Sequence, residues 1–239
     1  MFFDAYPRFY ETTQTAASAG RLNLRYEAIF TQNADVFKDA RVLDIASHDG
    51  RWSLAALRSG AAEVVGIEAR DDLVEAAREN LAAYAPGARY DFRVGDVFEV
   101  LAEEHFQVDV VLCLGFLYHT LRYNELLRRI RDLDPRYLIV DTAVLANQKK
   151  PTVKLRAERS DRARNAVSDQ FSHEDGTVVG TPSVPALRLI LESYGFEIER
   201  FSDWEGLVRD NSALGHVKDY AHGRRVTARC IASEYASAA

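Results

Sequence analysis

Residues 42–70 read VLDIASHDGRWSLAALRSGAAEVVGIEAR, and this stretch decides the fold. A short apolar run ends at Asp44 and opens into a polar turn that reaches Gly50. An amphipathic segment of helical length follows, and a second apolar run stops at the acid Glu68. This order predicts a strand, a turn, a helix and a second strand, which together form one nucleotide-binding βαβ unit. The free N–H groups of the helix N-terminus and the carboxylate at the strand tip suit an adenosine-type ligand.

A dinucleotide fits this turn poorly. Dinucleotide sites need G-x-G-x-x-G so that the backbone can approach a pyrophosphate, and of that trio only Gly50 is present. The turn instead resembles motif I of the class I S-adenosylmethionine (SAM)-dependent methyltransferases, (D/E)-x-G-x-G-x-G, which reads DIASHDG here. Ala46 and His48 replace two of the three family glycines. We expect these replacements to alter the detailed shape of the turn and not the class of cofactor.

The resemblance continues downstream of this turn. Glu68 stands eighteen residues after Gly50, where the family has its ribose-binding acid. Asp96 falls at the family's adenine-side acid, and residues 108–119 resemble its fourth strand and catalytic mouth. The resemblance therefore implies that SAM is bound by Asp44, Ala46, Ser47, His48, Gly50, Glu68, Ala69, Gly95, Asp96, Val97, Leu114 and Gly115.

Alternating apolar and amphipathic segments predict a single α/β domain over residues 1–239. We expect a three-layer Rossmann-like sheet of about seven mostly parallel strands, with an antiparallel last pair and helices on both faces. Its parts are an N-terminal helical cap (residues 1–40, with helices near 7–17 and 22–37), the cofactor-binding core (41–145), an insertion (146–182), and a C-terminal helix with strands (183–239).

The insertion breaks the alternating rhythm with polar, charged and Gly- and Thr-rich sequence. A long irregular insertion in a compact domain is often a substrate lid, and we predict that function here. Its basic residues form either a solvated face or a surface that attracts an anionic or polyhydroxylated substrate. They are Lys149, Lys150, Lys154, Arg156, Arg159, Arg162 and Arg164.

Methyl transfer from SAM is a displacement at an activated carbon, so the enzyme must align the reactants and remove a proton from a hydroxyl acceptor. His119 follows the predicted fourth strand, where open α/β sheets bind ligands, and is the leading candidate for the base. Alternatively, His119 caps the next helix or orients the substrate. Asp141, at the end of the fifth strand, is a second base, a metal ligand or a structural carboxylate.

Further side chains are candidates for contact with the substrate or a metal. Tyr118 lies beside His119, and Glu205 and Tyr220 occur near the C-terminal end of the chain. Residues 173–175 (HED) are either a metal site or an ordinary surface loop. A divalent metal such as Mg²⁺ therefore stays open as a cofactor, and we assign it no ligands.

Composition limits the class of partner. The chain has 239 residues, of which 47% are hydrophobic and 28% charged, with a net charge of −6. An acidic chain of this kind argues against a general nucleic-acid binder. The start contains Asp4 and Arg8 and resembles no secretory signal, and no apolar stretch approaches a membrane span. We expect a cytoplasmic enzyme without a membrane partner, and a homodimer stays open.

Three functions remain. The first is an O-methyltransferase for a hydroxyl-bearing small molecule, such as a sugar or another secondary metabolite; the overall resemblance favours an actinobacterial enzyme of this kind. The second is a tRNA-modifying enzyme, because residues 117–119 (LYH) and 181–187 look like tRNA wobble-uridine carboxymethyltransferases. The third is a non-catalytic SAM-binding partner protein, which is disfavoured because Asp44, Glu68 and Asp96 are all present.

Overall fold

The computed structural model describes residues 1–12, 19–162, 165–211 and 217–236. Its strands are β1 (Arg41–Ile45), β2 (Glu63–Glu68), β3 (Tyr90–Val94), β4 (Val110–Leu114), β5 (Tyr137–Ala143), β6 (Val153–Arg159), β7 (Gly176–Pro182), β8 (Phe196–Phe201) and β9 (Arg225–Ala232). Its α-helices are α1 (Arg8–Thr12), α2 (Ala19–Ile29), α3 (Ala34–Phe37), α4 (Arg51–Arg58), α5 (Asp71–Tyr84), α6 (Val97–Glu103), α7 (Tyr123–Asp132), α8 (Val184–Ser193), α9 (Trp204–Asp210), α10 (Lys218–Ala221) and α11 (Ser233–Ala236). Within these ranges no helix is both long enough and apolar enough to span a bilayer.

The main sheet has seven strands in the order β3-β2-β1-β4-β5-β9-β8. Strands β1 to β5 pair in parallel with one another, whereas β9 pairs antiparallel with both β5 and β8. The predicted fold class is confirmed. The strand order reverses between β1 and β4, and ligands of open α/β sheets bind at such a reversal, outside the carboxyl ends of the strands.

Both faces of the sheet are covered, which is why the parallel strands read as unbroken apolar runs. Successive side chains of a strand point to opposite faces. Leu112 of β4 packs in the cluster that contains Trp52 and Leu81, on the side of the N-terminal cap. The next residue, Cys113, packs in the opposite cluster with Leu127. The helices thus fix the sheet from both sides and leave its carboxyl edge for a ligand.

The N-terminal cap is more broken than the sequence suggests. The second predicted helix, residues 22–37, is divided into α2, a 3-10 turn over Thr31–Asn33 and α3. Asn33 explains the break, because its buried side-chain amide donates to the carbonyls of Ala28 (3.2 Å) and Ile29 (2.9 Å). These carbonyls belong to the last turn of α2, where a continuing helix would otherwise bond them. Of the first predicted helix, residues 13–17 lie outside the described residues.

The prediction of an irregular insertion was wrong. Strands β6 and β7 pair antiparallel along their whole length and form a separate two-stranded sheet, here called the hairpin. Along β6 only Glu158 is buried, and the side chains from Lys154 to Ala157 are all exposed. A strand with a solvated surface lacks the alternation of apolar and polar residues that identifies a strand in sequence. Arg164, from the basic set, lies outside the described residues.

Candidate functional site

A cavity of about 500 Å³ lies at the carboxyl edge of the sheet, beyond β1, β2 and β4. The cap and the segment inside the hairpin complete its walls, because Arg25 and Asn165 both contribute. Of the residues predicted from sequence, those that line this cavity are Ala46, His48, Glu68, Ala69, Gly95, Asp96, Val97, Leu114, Gly115, Tyr118 and His119. Those that do not line it are Asp44, Ser47, Gly50, Asp141, Glu205 and Tyr220.

The turn after β1 keeps a left-handed backbone at all three positions where the family has glycine. The φ angles are 54° at Ala46, 55° at His48 and 77° at Gly50. All three φ angles are positive, so the replacements at Ala46 and His48 have not changed the sign of φ at these positions. Of these three positions, Gly50 is the one where a side chain would be crowded. An added Cβ would lie 2.9 Å from Cδ1 of Leu81 and 3.1 Å from Cβ of Ala77.

The left-handed backbone at Ala46 predicts a stabilising substitution. An L-residue with a Cβ is strained in this region by about 1–2 kcal/mol, and glycine is not. Allowing for the greater freedom of glycine in the unfolded chain, we expect Ala46→Gly to raise the free energy of unfolding by about 1 kcal/mol, or the Tm by about 2–4 °C. Calorimetry of this variant beside Ala82→Gly, at an exposed position of α5, tests the idea. Ala82→Gly should lower the Tm, and an equal loss in Ala46→Gly would show that position 46 carries no strain.

Glu68 is fixed at the tip of β2 by two backbone N–H groups. Its Oε2 accepts from His48 and its Oε1 from Arg70, each at 3.1 Å. A carboxylate can accept about four hydrogen bonds, so Glu68 keeps acceptor capacity for a ligand in the cavity it lines. Two further acids lie nearby, Asp44 behind the turn and Asp96 in the cavity wall. Burial raises the pKa of Asp44 to about 7. Burial also raises the pKa of Asp96, which caps α6.

Asp44 lies behind the cavity wall and supports the turn. Its side chain is fully buried, and its Oδ2 accepts from the Ser53 hydroxyl at 2.7 Å. The neighbouring carboxylate of Glu68 adds to the effect of burial on the pKa of Asp44. Ser47 and Gly50 are likewise buried in the turn and shape it from within. We predicted that Asp44, Ser47 and Gly50 contact the cofactor. The structure instead places these three residues behind the cavity wall, where they support the turn.

The proposal of Asp141 as a base or metal ligand is also corrected. Asp141 is fully buried, and its Oδ1 accepts from Arg225 Nε (2.7 Å) and from Arg25 (3.1 Å). Its Oδ2 accepts from the hydroxyls of Tyr220 and Thr227, each at 2.7 Å. Burial opposes the charge, but the two guanidinium groups hold the pKa of Asp141 well below its usual range. A carboxylate held in this way does not take up a proton near neutral pH and has no lone pairs left for a metal.

The two C-terminal substrate candidates do not reach the cavity. Tyr220 is buried, stacks on Trp204 with ring centroids 3.5 Å apart, and orients Asp141. Glu205 is exposed on the first turn of α9. Among the residues that the sequence analysis missed is Arg225, which lines the cavity between Asp141 and the hydroxyl of Tyr118 (3.3 Å). No sequence pattern marks it, because it is the first residue of an ordinary strand.

His119 lies in the cavity wall, in a 3-10 turn over Leu117–His119 directly after β4. Its Nδ1 is 2.7 Å from Oε2 of Glu158, a buried residue of the hairpin. Glu158 also accepts from the backbone N–H of Ala166 at 2.9 Å and from Arg156. Burial opposes its ionisation, yet the bonds from His119 and Ala166 lower the pKa of Glu158 to about 2. Because this carboxylate only accepts, Nδ1 of His119 is the donor in this contact, and Nε2 is the ring nitrogen left for a ligand.

The described residues hold no group of three His, Cys, Asp or Glu side chains arranged for a metal ion. The metal candidate at residues 173–175 is therefore not assembled as a ligand set. His173 instead closes the end of the hairpin, where its backbone exchanges two hydrogen bonds with Gly176, each at 2.9 Å. The acidic residues of this segment are exposed, as expected for the ordinary surface loop that was the alternative.

Residues 42–133 match the protein family described as a methyltransferase domain. No curated protein matches the chain in sequence. Among solved structures the chain is similar to the 1,6-didemethyltoxoflavin-N1-methyltransferase of Burkholderia thailandensis, with bound 1,6-didemethyltoxoflavin and S-adenosylhomocysteine (SAH). The identity is 17%, the TM-score 0.61, and the match covers 97% of this chain and 85% of that chain.

Two further solved structures have a similar fold. The magnesium protoporphyrin IX methyltransferase of Synechocystis PCC 6803 with bound SAH has 16% identity and a TM-score of 0.58, over 97% of this chain and 94% of that chain. A SAM-dependent methyltransferase of Mesorhizobium loti has 14% identity and a TM-score of 0.57, over 90% of this chain and 98% of that chain. Residues 42–133 are thus similar to a methyltransferase domain, and the chain has the fold of these SAM-dependent methyltransferases.

Proposed function

We propose that this chain binds SAM and transfers its methyl group to a hydroxyl of a small molecule. One observation carries the proposal: a single cavity of about 500 Å³ is lined both by Glu68 and by His119. Glu68 is a fixed carboxylate with acceptor capacity to spare, and His119 is an imidazole whose Nδ1 is held by Glu158, which leaves Nε2 for the acceptor. A site for a ribose and a site for a proton acceptor thus open into the same space. The fold's solved relatives include methyltransferases with bound SAH.

The residues of the cavity fit SAM. The carboxylate of Glu68 would accept hydrogen bonds from the two ribose hydroxyls, and Asp96 would lie on the adenine side. The cofactor's own carboxylate needs a positive partner, and the guanidinium groups of Arg25 and Arg51 both line the cavity. Arg51 is anchored there by Asp49, whose Oδ1 accepts from its Nε at 2.7 Å. The ribose, the adenine and the carboxylate of the cofactor therefore each have a residue of matching chemistry.

Bound SAM supplies a methyl group activated by a positively charged sulfur. His119 then has one task, which is to accept the proton of the acceptor hydroxyl at Nε2 as that oxygen becomes a nucleophile. Glu158 accepts from the Nδ1–H, keeps the imidazole in the required tautomer and stabilises the cation that forms. Asn165, Ala166 and Val167, between the strands of the hairpin, line the cavity and would exclude water. In this proposal the hairpin is the predicted lid.

Small molecules are better supported as acceptors than RNA. The basic residues of the insertion are partly neutralised: Arg156 forms an ion pair with Glu158, and Arg159 with Asp161 (2.9 Å). They therefore offer less charge to phosphates than the sequence suggests. A hydroxyl-bearing small molecule of either kind, a sugar or another secondary metabolite, is compatible with the observations above. Cytoplasmic location and a homodimer stay predictions.

Removing the carboxylate of Glu68 tests the cofactor site. In Glu68→Ala two buried ribose hydroxyls would lose their acceptor, which costs about 1–3 kcal/mol, so we expect SAM to bind at least roughly tenfold more weakly by calorimetry. Glu63→Ala is the matched control, because Glu63 is at the opposite end of the same strand and pairs with Arg89. It should leave the affinity unchanged. Equal affinities of the wild type and Glu68→Ala would remove Glu68 from the site.

A further inference from the structure

A second, smaller cavity of about 300 Å³ adjoins the first. The two cavities share Asp96, Phe116, His119, Ala166 and Val167 as lining residues. We propose that the smaller cavity is the acceptor site and that it takes a neutral, flat, apolar ring system bearing the reactive hydroxyl, and not a sugar. This inference rests on the proposed function, because His119, the proposed base, lines both cavities.

The walls of the smaller cavity are apolar where they meet solvent. Leu121, Phe171 and Val178 are large apolar side chains with exposed fractions of 39%, 67% and 53%, and all three line this cavity. Phe98 and Phe116 form its inner wall, with ring centroids 6.1 Å apart. Apolar side chains that converge on a concave site favour an apolar ligand, which would remove them from water.

The charged groups of this cavity are already paired. Arg122 forms ion pairs with Glu125 (2.8 Å) and Asp169 (3.0 Å), and its guanidinium lies 3.6 Å above the Phe98 ring. Asp96 accepts from the backbone N–H of Phe98 at 2.7 Å. An ionic ligand would have to break these pairs. A sugar would lose the hydration of several hydroxyls and would find Arg122 and Asp169 already bonded to each other, which leaves mainly Asp96 as an acceptor.

The size of the cavity agrees with this ligand class. A volume of about 300 Å³ is at the lower end of the range for small-molecule sites and has room for about two fused rings. With its ring against the wall that the two phenylalanine side chains form, such a ligand would reach the imidazole of His119 with its hydroxyl. The tilted pair of Phe98 and Phe116 suits a flat ring, because aromatic rings prefer offset or edge contacts.

Direct binding tests the inference on the full chain saturated with SAH. The probe is 2-naphthol, titrated by fluorescence polarisation, and methyl glucoside is the polar control, followed by saturation-transfer NMR. We expect 2-naphthol to bind saturably and methyl glucoside not to bind. Val178→Asp should weaken 2-naphthol at least fivefold. Leu155→Asp, at another exposed apolar position of the hairpin that does not line this cavity, should leave the affinity unchanged.

Three results would overturn the inference: no saturable binding of 2-naphthol, equal weakening by Val178→Asp and Leu155→Asp, or preferential binding of methyl glucoside. These outcomes are separable from the proposed function, because the readout is binding without turnover. Calorimetry with SAH reports the cofactor site independently. If SAH bound and 2-naphthol did not, the acceptor class would be wrong while the cofactor site stood. If SAH failed to bind and 2-naphthol still responded to Val178→Asp, the proposed function would fail and the apolar cavity would stand.

Discussion

Replacing His119 with alanine is expected to reduce methyl transfer to the true acceptor by about 10²–10⁴-fold. A hydroxyl is a poor nucleophile until its proton is removed, and His119 is the proposed acceptor of that proton. SAM affinity should be nearly unchanged, because the cofactor's proposed contacts are made by Glu68 and other residues of the larger cavity. Steady-state kinetics with calorimetry of SAM binding separate the two effects. If His119→Ala kept most of its turnover, His119 would not be the base and its role would be structural.

Glu158 provides a second, independent test of the same base. Its pKa of about 2 means that it is ionised throughout the working pH range, so the pH–rate profile reports other groups. In Glu158→Gln the side-chain amide can either accept from or donate to Nδ1, so the tautomer that leaves Nε2 for the acceptor is no longer enforced, and the imidazolium that forms loses its counter-charge. We expect at least about tenfold lower turnover, and the tautomer can be read by NMR of labelled histidine. Asp175→Asn is the control, since Asp175 is an exposed carboxylate of the same hairpin, 3.6 Å from Arg159.

Replacing Asp141 with alanine is expected to lower the free energy of unfolding by about 3–5 kcal/mol. The substitution leaves the guanidinium groups of Arg25 and Arg225 buried without their counter-charge. For a chain of this size the Tm should fall by about 10 °C or more. Urea unfolding of the variant beside Asp35→Ala measures the effect, because Asp35 forms an exposed ion pair with Arg229. Asp35→Ala should cost less than about 1 kcal/mol, and a similarly small loss in Asp141→Ala would contradict the buried network.

The sign of the pH dependence follows from the pKa of Asp141. In the folded protein it lies below the unfolded value of about 3.9, so the carboxylate stabilises the fold above that value. Its contribution is lost as the pH falls below about 4, because the unfolded chain then takes up the proton more readily. Chemical denaturation of the wild type at decreasing pH should show this loss, and Asp141→Ala should lack it.

The parts of the fold that could be predicted are those fixed by local sequence. Strands β1, β2 and β4 are buried on both faces, so their continuous apolar runs identified them and placed Glu68 and His119 at the sheet edge. Strand β6 was not predicted because its exposed side chains carry no period-two apolar pattern. Glu158, which lies on this strand, was therefore missed as well. The structural position of Asp141 could not be predicted, because Arg25 is 116 residues and Arg225 is 84 residues away along the chain.

The hairpin combines two properties that an engineer would want to vary separately. Val178 on one of its strands lines the proposed acceptor site, while Glu158 on the other holds the proton of His119. A graft of a foreign loop, made to alter acceptor preference, would therefore also remove the partner of the base. Such chimaeras should be slower on old and new acceptors alike, by at least about tenfold, unless a carboxylate is retained at position 158. Under the proposed function, acceptor preference and rate would therefore both depend on one short segment.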